Sequence, residues 1–203
     1  MITVKINGEE RQYPQGATYE DVANDYQKEY DNLIALAARD GKIRELFKKL
    51  TRDCEITFFT LKDDVGNKTY VRSATMLFLK AVFDVFGRET VQNCRVEFAI
   101  GNGSYISPKG KINATEENAA KIRNRMRELV EAKTPFLKKS YSLDNAMELF
   151  RREGMKDKEK LFRYRRGSFV NIYEMDGYYD YYYGYMLPNA GYEIGRASCR
   201  ERV

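Results

Sequence analysis

FAIGNGSYISPKGKINATEENAAKIRNRMRELVEAKTPFLKKSYSLDNAMELF, residues 98–150, changes its hydrophobic period repeatedly along its length. Its start continues the apolar alternation of CRVEFAI and reads as a hairpin turned at Gly101-Asn102-Gly103. Thr115 is placed to open a helix on which Ala119, Ile122, Met126, Leu129 and Val130 recur at helical spacing. PFLKKSY returns to a strand pattern, and SLDNAMELFRREG to a helix capped by Ser142 and stopped at Gly154. This mixture of a hairpin, further strands and helices is read as an α+β fold.

Upstream, Ser73 is a candidate N-cap for ATMLFLKAVFDVF, a helix apolar on nearly all sides and therefore expected in the centre of a core. Residues 1–62 read as short strands around one helix. MITVKI alternates Ile2, Val4 and Ile6, NGEE turns, and RQY returns as the second strand. Thr18, with Asp21 three residues on, predicts a helix over about residues 19–29. NLIALAARDGKIREL and EITFFTL supply further strands, and the polar run Lys62–Asn67 is the expected boundary between a first domain, 1–62, and a second, 63–192. Downstream, FVNIYEMDGYYDYYYGYM predicts a strand pair whose tyrosines cover a pleated face.

Composition narrows the chemistry. With 203 residues and 43% hydrophobic content, the chain can bury one sizeable core or two modest ones. It lacks both an apolar run of roughly 20 residues and a signal-peptide pattern, so the expected setting is soluble and cytoplasmic. Cys54, Cys94 and Cys199 are odd in number and far apart, which is no disulfide framework. There is no histidine, which removes the commonest general base and the commonest zinc ligand. The phosphate loop GxxxxGK[ST] is missing, and Gly101-Asn102-Gly103 lacks the third glycine of a dinucleotide fingerprint. Asp63-Asp64 and Glu116-Glu117 read as a linker and a helix first turn. Residues 1–64 carry 10 Lys/Arg against 13 Asp/Glu, whereas residues 121–166 carry 15 against 7. Lys121, Arg123, Arg125 and Arg127 are therefore a candidate nucleic-acid surface, with a solvated helix face as the alternative.

The order of these elements is recognisable. Residues 1–62, leading into ITFFTLKDDVGNKTYVRS, resemble the TGS domain and exit linker of threonyl-tRNA synthetase, a domain of ubiquitin-like β-grasp fold. Residues 98–150 resemble that enzyme's second, editing-type α+β domain, with its glycine-turn hairpin, RMxEL helix, Lys-Lys strand and A-x-x-x-F helix. DYYYGYMLPN is similar to the segment Asp-x-Cys-x-Gly-Pro-His-Val-Pro-Asn. The family's editing site pairs HxxxH on the apolar helix with CxxxH in this late turn, and it can hold a metal and hydrolyse mischarged tRNA. The resemblance puts Arg72 and Met76 at the helix histidines, and Tyr182 and Met186 at the Cys and His. It therefore implies a degenerate cleft of Arg72, Ser73, Met76, Lys80, Tyr182 and Met186, with no catalytic or metal-ligating residue. Two arrangements of that cleft are open. In one, Arg72 and Lys80 attract an anionic ligand such as a nucleotide while a tyrosine stacks on its base. In the other, Met and Tyr pack as core and the two cations snorkel outward.

RSATMLFLKAV and YGYMLPNAGY also resemble RSxxFLLxKAV and YGYMxPxxGY of bacterial uridine kinase-like nucleoside kinases, which carry both domains ahead of a P-loop kinase domain. The terminal EIGRASCRERV, within residues 193–203, reads like a translated sequencing adapter and carries no weight in the fold. The expected function is thus the non-catalytic N-terminal regulatory or ligand-binding region of a nucleoside kinase. Its partners would be the missing kinase domain, with ATP and Mg as that domain's cofactors, and a nucleotide or RNA. The alternative is a freestanding tRNA-binding or editing-like module related to threonyl-tRNA synthetase.

Overall fold

The computed structural model describes residues 1–100, 103–108 and 115–192. Gly101 and Asn102 of the predicted turn Gly101-Asn102-Gly103 and the stretch 193–203, with Cys199, lie outside the described residues.

β1 (Ile2–Ile6) and β2 (Glu9–Tyr13) pair antiparallel, with Ile6 opposite Glu9. Asn7 (φ 51°) and Gly8 (φ 90°) are both left-handed, as a two-residue turn compatible with strand twist requires. α1 (Tyr19–Tyr26) begins as the sequence predicts. Thr18 Oγ1 accepts the Asp21 N–H, and the Asp21 carboxylate accepts the Thr18 N–H at 2.7 Å. The helix closes in a 3-10 turn over Gln27–Glu29. β3 (Ile34–Arg39), β4 (Lys42–Glu45) and β5 (Cys54–Thr60) complete a five-stranded sheet of order β2-β1-β5-β3-β4, in which only β1 and β5 run parallel. Tyr19, Val22 and Tyr26 of α1 bury one core with Val4, Ile6, Ile34 and Ile56. β3 is a continuous buried run, IALAA, because it is covered twice. Ile34 and Ala37 join the core under α1, while Ala35 joins the core built around the next helix.

That helix, α2 (Asp64–Phe86), is followed by α3 (Arg88–Gln92), the hairpin β6 (Cys94–Ile100) and β7 (Gly103–Pro108), and α4 (Glu116–Glu131). Ile100 lies opposite Gly103, which is the pairing the hairpin reading requires. Thr115 accepts the Asn118 N–H and caps α4, whose Ile122, Met126 and Leu129 are buried against α2. β8 (Leu137–Ser142), α5 (Leu143–Arg152), α6 (Lys156–Arg163), β9 (Phe169–Met175) and β10 (Tyr178–Asp180) complete the chain. Ser142 caps α5, and Gly154, left-handed at φ 71°, follows it. In the three-stranded sheet β10-β9-β8, the central strand β9 sends side chains into a core on each face. Val170 and Ile172 pack under α5 and α6, and Tyr173 and Met175 enter the core around α2. No helix among the described residues is long and apolar enough to cross a membrane.

Three local expectations change. Ser73 does not cap a helix, because α2 starts at Asp64 and carries Ser73 fully buried in its interior. The polar run Lys62–Asn67, which looked like an exposed linker, supplies the first turn of that helix, with Asp63 turned back to accept the Thr60 N–H at 2.7 Å. The predicted strand pair forms and carries Tyr173, Tyr178 and Tyr179, but the later tyrosines lie outside it. β10 ends at Asp180, whose carboxylate takes the Tyr181 N–H at 2.7 Å, and Tyr181 to Tyr185 follow in an irregular turn. α6, with Phe162 buried, had no counterpart in the sequence reading.

The entry of α2 depends on Gly66, which is buried against the end of β5. A Cβ at this position would lie 2.0 Å from the Thr60 carbonyl oxygen. Ala is otherwise the better helix former by about 1 kcal/mol. Gly66→Ala should nevertheless destabilise the chain by about 1–3 kcal/mol through overpacking. Urea unfolding of the two forms checks this; a stabilised variant would mean that α2 is free of β5.

Candidate functional site

The late turn brings Met186 against Ser73 of α2, and Tyr182 packs against the core that holds Met76 and Met186. What assembles there is a filled interior. Met76 and Met186 are both fully buried in one core. Ser73 Oγ donates to the Thr69 carbonyl at 2.9 Å and accepts the Leu187 N–H at 2.9 Å, with Met186 Sδ 3.8 Å away. This serine satisfies a backbone donor of the turn, so it fixes the turn onto the helix. The Arg72 guanidinium donates to the Tyr185 carbonyl at 2.7 Å. It also lies flat on Gly184, where a Cβ would stand 2.6 Å from its Cζ. Gly184 (φ 135°) is therefore required both for conformation and for space. Burial lowers the Arg72 pKa, an effect opposed by Tyr173 and Glu45 nearby. The Tyr182 ring packs edge-on to Tyr173, with 6.5 Å between centroids. Its hydroxyl is buried with no well-formed hydrogen bond among the described residues, and burial, then the charge of Asp180 and a weaker hydrogen-bonding approach to it, push its pKa well above the ordinary tyrosine value.

The organiser of this region is a residue the sequence did not single out. Glu45, at the end of β4, is 2% exposed. Its carboxylate accepts from Lys138 Nζ of β8 at 3.0 Å, from the Met186 N–H at 3.3 Å and from the Tyr173 hydroxyl of β9. The Tyr173 hydroxyl has one proton and a second acceptor, the Gly184 carbonyl at 2.9 Å; the carboxylate is the stronger acceptor. Burial, and then the Glu45 charge, push the Tyr173 pKa up. Lys138 Nζ also lies over the Tyr173 ring at 5.3 Å. One carboxylate of the N-terminal sheet thus ties β8, β9 and the late turn together. Near it, Asn189 Nδ2 reaches Glu20 Oε1 at 3.4 Å.

Lys80 is not an open cation. It is 2% exposed, and its Nζ contacts Asp84 Oδ1 and the Asp176 carbonyl at 2.7 Å each, and Asp176 Oδ2 at 3.2 Å. Arg125 of α4 adds a bond to Asp84 Oδ2 at 2.8 Å, so these charges clamp α2, α4 and the β9–β10 turn. Both arrangements envisaged for the cleft need correction. Methionine and tyrosine do fill it, but Arg72 and Lys80 neither snorkel outward nor face an open pocket; the fold's own acceptors hold them.

Charge pairing also changes the α4 surface. Lys121 pairs with Glu117 at 2.7 Å and Arg123 with Glu116 at 3.2 Å, within their own helix. Arg125 is turned toward Asp84 and Glu128 instead of lying mostly toward solvent, and Arg127 is exposed.

The cleft side chains do not fit a zinc ion. Two thioethers, a phenol and a guanidinium are not its donors, since thioether sulfur suits soft ions. Among the described residues no group of three or more His, Cys, Asp or Glu is placed to hold a metal.

No family model matches the chain. It is similar to the threonine--tRNA ligase of Thermotoga maritima, 29% identical over 195 residues, which cover 94% of this chain and 29% of the relative. The ligase of Maricaulis maris is 29% identical over 199 residues, covering 97% of this chain and 30% of the relative. That of Rhizobium etli is 27% identical over 192 residues, covering 94% and 28%. The chain thus spans about three tenths of the length of these curated relatives. The likeness to threonyl-tRNA synthetases runs along nearly the whole chain in an α+β architecture. It favours the synthetase-like module over the nucleoside-kinase region, for which these relatives offer no support.

Met76→Ala removes a fully buried side chain from this interior and should destabilise the protein by about 2–5 kcal/mol. Thermal or urea unfolding checks the figure. A cost below about 1 kcal/mol would mean a cleft loose enough to admit a ligand.

Proposed function

We propose that residues 1–192 form an RNA-binding module of the kind that stands at the N-terminus of threonyl-tRNA synthetases, in a version that has given up hydrolysis. The observation that carries this reading is the interior just described: Met76 and Met186 are buried against each other's surroundings, Arg72 is laid on Gly184, and Ser73 holds the Leu187 N–H. A site that hydrolyses an ester needs a base and room for substrate and water. Here the nearby carboxylates are engaged as structural acceptors, Glu45 by Lys138 and Tyr173, and Asp180 by Lys158 at 3.0 Å and the Tyr181 N–H. The sheet order β2-β1-β5-β3-β4, with a parallel central pair and one helix against one face, supports reading the N-terminal part as a β-grasp, TGS-like unit. On this reading the domains divide near residue 62, and Glu45 joins them across the division.

A second reading keeps this module as the N-terminal region of a nucleoside kinase, with ATP and Mg belonging to a P-loop domain beyond Tyr192. The contact between its two motif stretches fits this reading and the first alike. The two stretches that carry that resemblance, RSATMLFLKAV and YGYMLPNAGY, meet through Ser73 with Leu187 and Arg72 with Tyr185. Coding sequence for GxxxxGK[ST] downstream of Tyr192 would favour the kinase, and a stop codon the freestanding module.

Purified protein should bind tRNA with an affinity that falls steeply with salt, while leaving seryl-tRNA intact with or without added zinc. Filter binding and a deacylation time course check both parts. Turnover of seryl-tRNA by the purified chain would overturn the loss of hydrolysis, and absence of tRNA binding at low salt would overturn the RNA-binding role.

A further inference from the structure

α6 and the late turn enclose a shallow groove of about 390 Å3, lined by Leu161, Tyr164, Arg165, Tyr181 and Tyr183. Its floor is built in advance. Tyr181 stands edge-on to the buried Phe162, with 5.0 Å between centroids, and the Arg165 guanidinium lies over the Tyr181 ring at 5.3 Å while donating to its hydroxyl. Its walls carry no packing load: Tyr164 is 83% exposed and Tyr183 87% exposed. Two large rings held in water beside an ordered guanidinium–phenol pair offer flat apolar faces to a planar ligand.

The surrounding charge selects among planar ligands. KDKEKLFRYRR, residues 156–166, carries six Lys/Arg against two Asp/Glu. Lys158 is committed to Asp180, and Arg163 lies 3.7 Å from Glu159. Lys156, Lys160 and Arg166 have no ion pair among the described residues. Aromatic faces set in a basic field are the physical requirement for binding unpaired nucleotides, whose bases stack while their phosphates are neutralised. A duplex offers only its phosphates here, because its bases are already stacked on one another.

We infer that this groove binds the unpaired nucleotides of an RNA single strand, with bases stacking on Tyr164 and Tyr183 and the backbone running along Arg165 and the basic side of α6. The inference rests on the RNA-binding reading above and moves the contact away from the basic stripe of α4. It explains why the late turn holds one exposed tyrosine, Tyr183, beside half-buried ones. Tyr173 and Tyr182 close the old cleft from inside, and Tyr183 points its ring to solvent.

The test uses the full chain and three RNAs: a labelled single-stranded octaribonucleotide, a blunt duplex of the same length, and tRNA. Tyr164→Ala and Tyr183→Ala should each weaken octamer binding by about 10-fold. Tyr164→Phe, which keeps the ring, should leave it unchanged. The duplex should bind more weakly and be indifferent to all three changes. Both positions are exposed, so the variants should unfold at the wild-type temperature. If tRNA binds and the alanine variants bind tRNA and octamer as the wild type does, the groove assignment is overturned and the RNA-binding reading stands. If no RNA binds, both fall. If the alanine variants instead dissolve a dimer seen by sedimentation, the groove belongs to a second copy and the inference is overturned.

Discussion

The carboxylate of Glu45 is the constraint on which the arrangement of this protein depends. It is contributed by the short strand β4 of the N-terminal sheet, yet its acceptor sites are used by Lys138 of β8, Tyr173 of β9 and the Met186 N–H of the late turn. A buried carboxylate left unpaired would be strongly unfavourable, so these three donors must be present together for β4 to be buried where it is. The same condition places Tyr173 next to Gly184, Gly184 under Arg72, and Arg72 against the Tyr185 carbonyl. Position and satisfaction of one charge therefore fix the path of the late turn.

A second set of charges does the same work on the far side of α2. Lys80, Asp84, Arg125 and Asp176 hold α2, α4 and the β9–β10 turn around a lysine that water scarcely reaches. Between the two networks lie Met76 and Met186. Methionine suits such a position, because its unbranched thioether fills irregular space. Packing thus fills the space between α2 and the late turn, and Arg72 and Ser73 serve backbone groups of that turn.

Much of the fold could be read from the sequence, for local reasons. Thr18, Thr115 and Ser142 announce their helices because a hydroxyl at an N-cap has one use, and each of the three does accept a backbone N–H three residues on. Asn7-Gly8 announces its turn because few residue pairs tolerate two left-handed conformations. Ser73 misled because the same hydroxyl in mid-helix can bond the carbonyl four residues back, as it does to Thr69. The cleft positions Arg72, Met76, Tyr182 and Met186 were legible only through resemblance to a family. Glu45 was not legible at all. Its partners lie 93 to 141 residues away in the chain, and a glutamate at the end of a polar strand looks like any exposed one until the fold closes over it. The candidate surface on α4 failed to anticipate pairing for a related reason: the acids that engage Arg125 come from α2 and the β9–β10 turn, not only from its own helix.

The most direct test is a double-mutant cycle between Glu45 and Tyr173, 128 residues apart in sequence and joined by one hydrogen bond in the interior. Unfolding free energies of Glu45→Gln, Tyr173→Phe and the double variant should show coupling of about 1–3 kcal/mol, since each group leaves the other buried and less satisfied when it is removed alone. Additivity within about 0.5 kcal/mol would contradict the account, because it would mean that the N-terminal sheet and the late turn do not share this carboxylate.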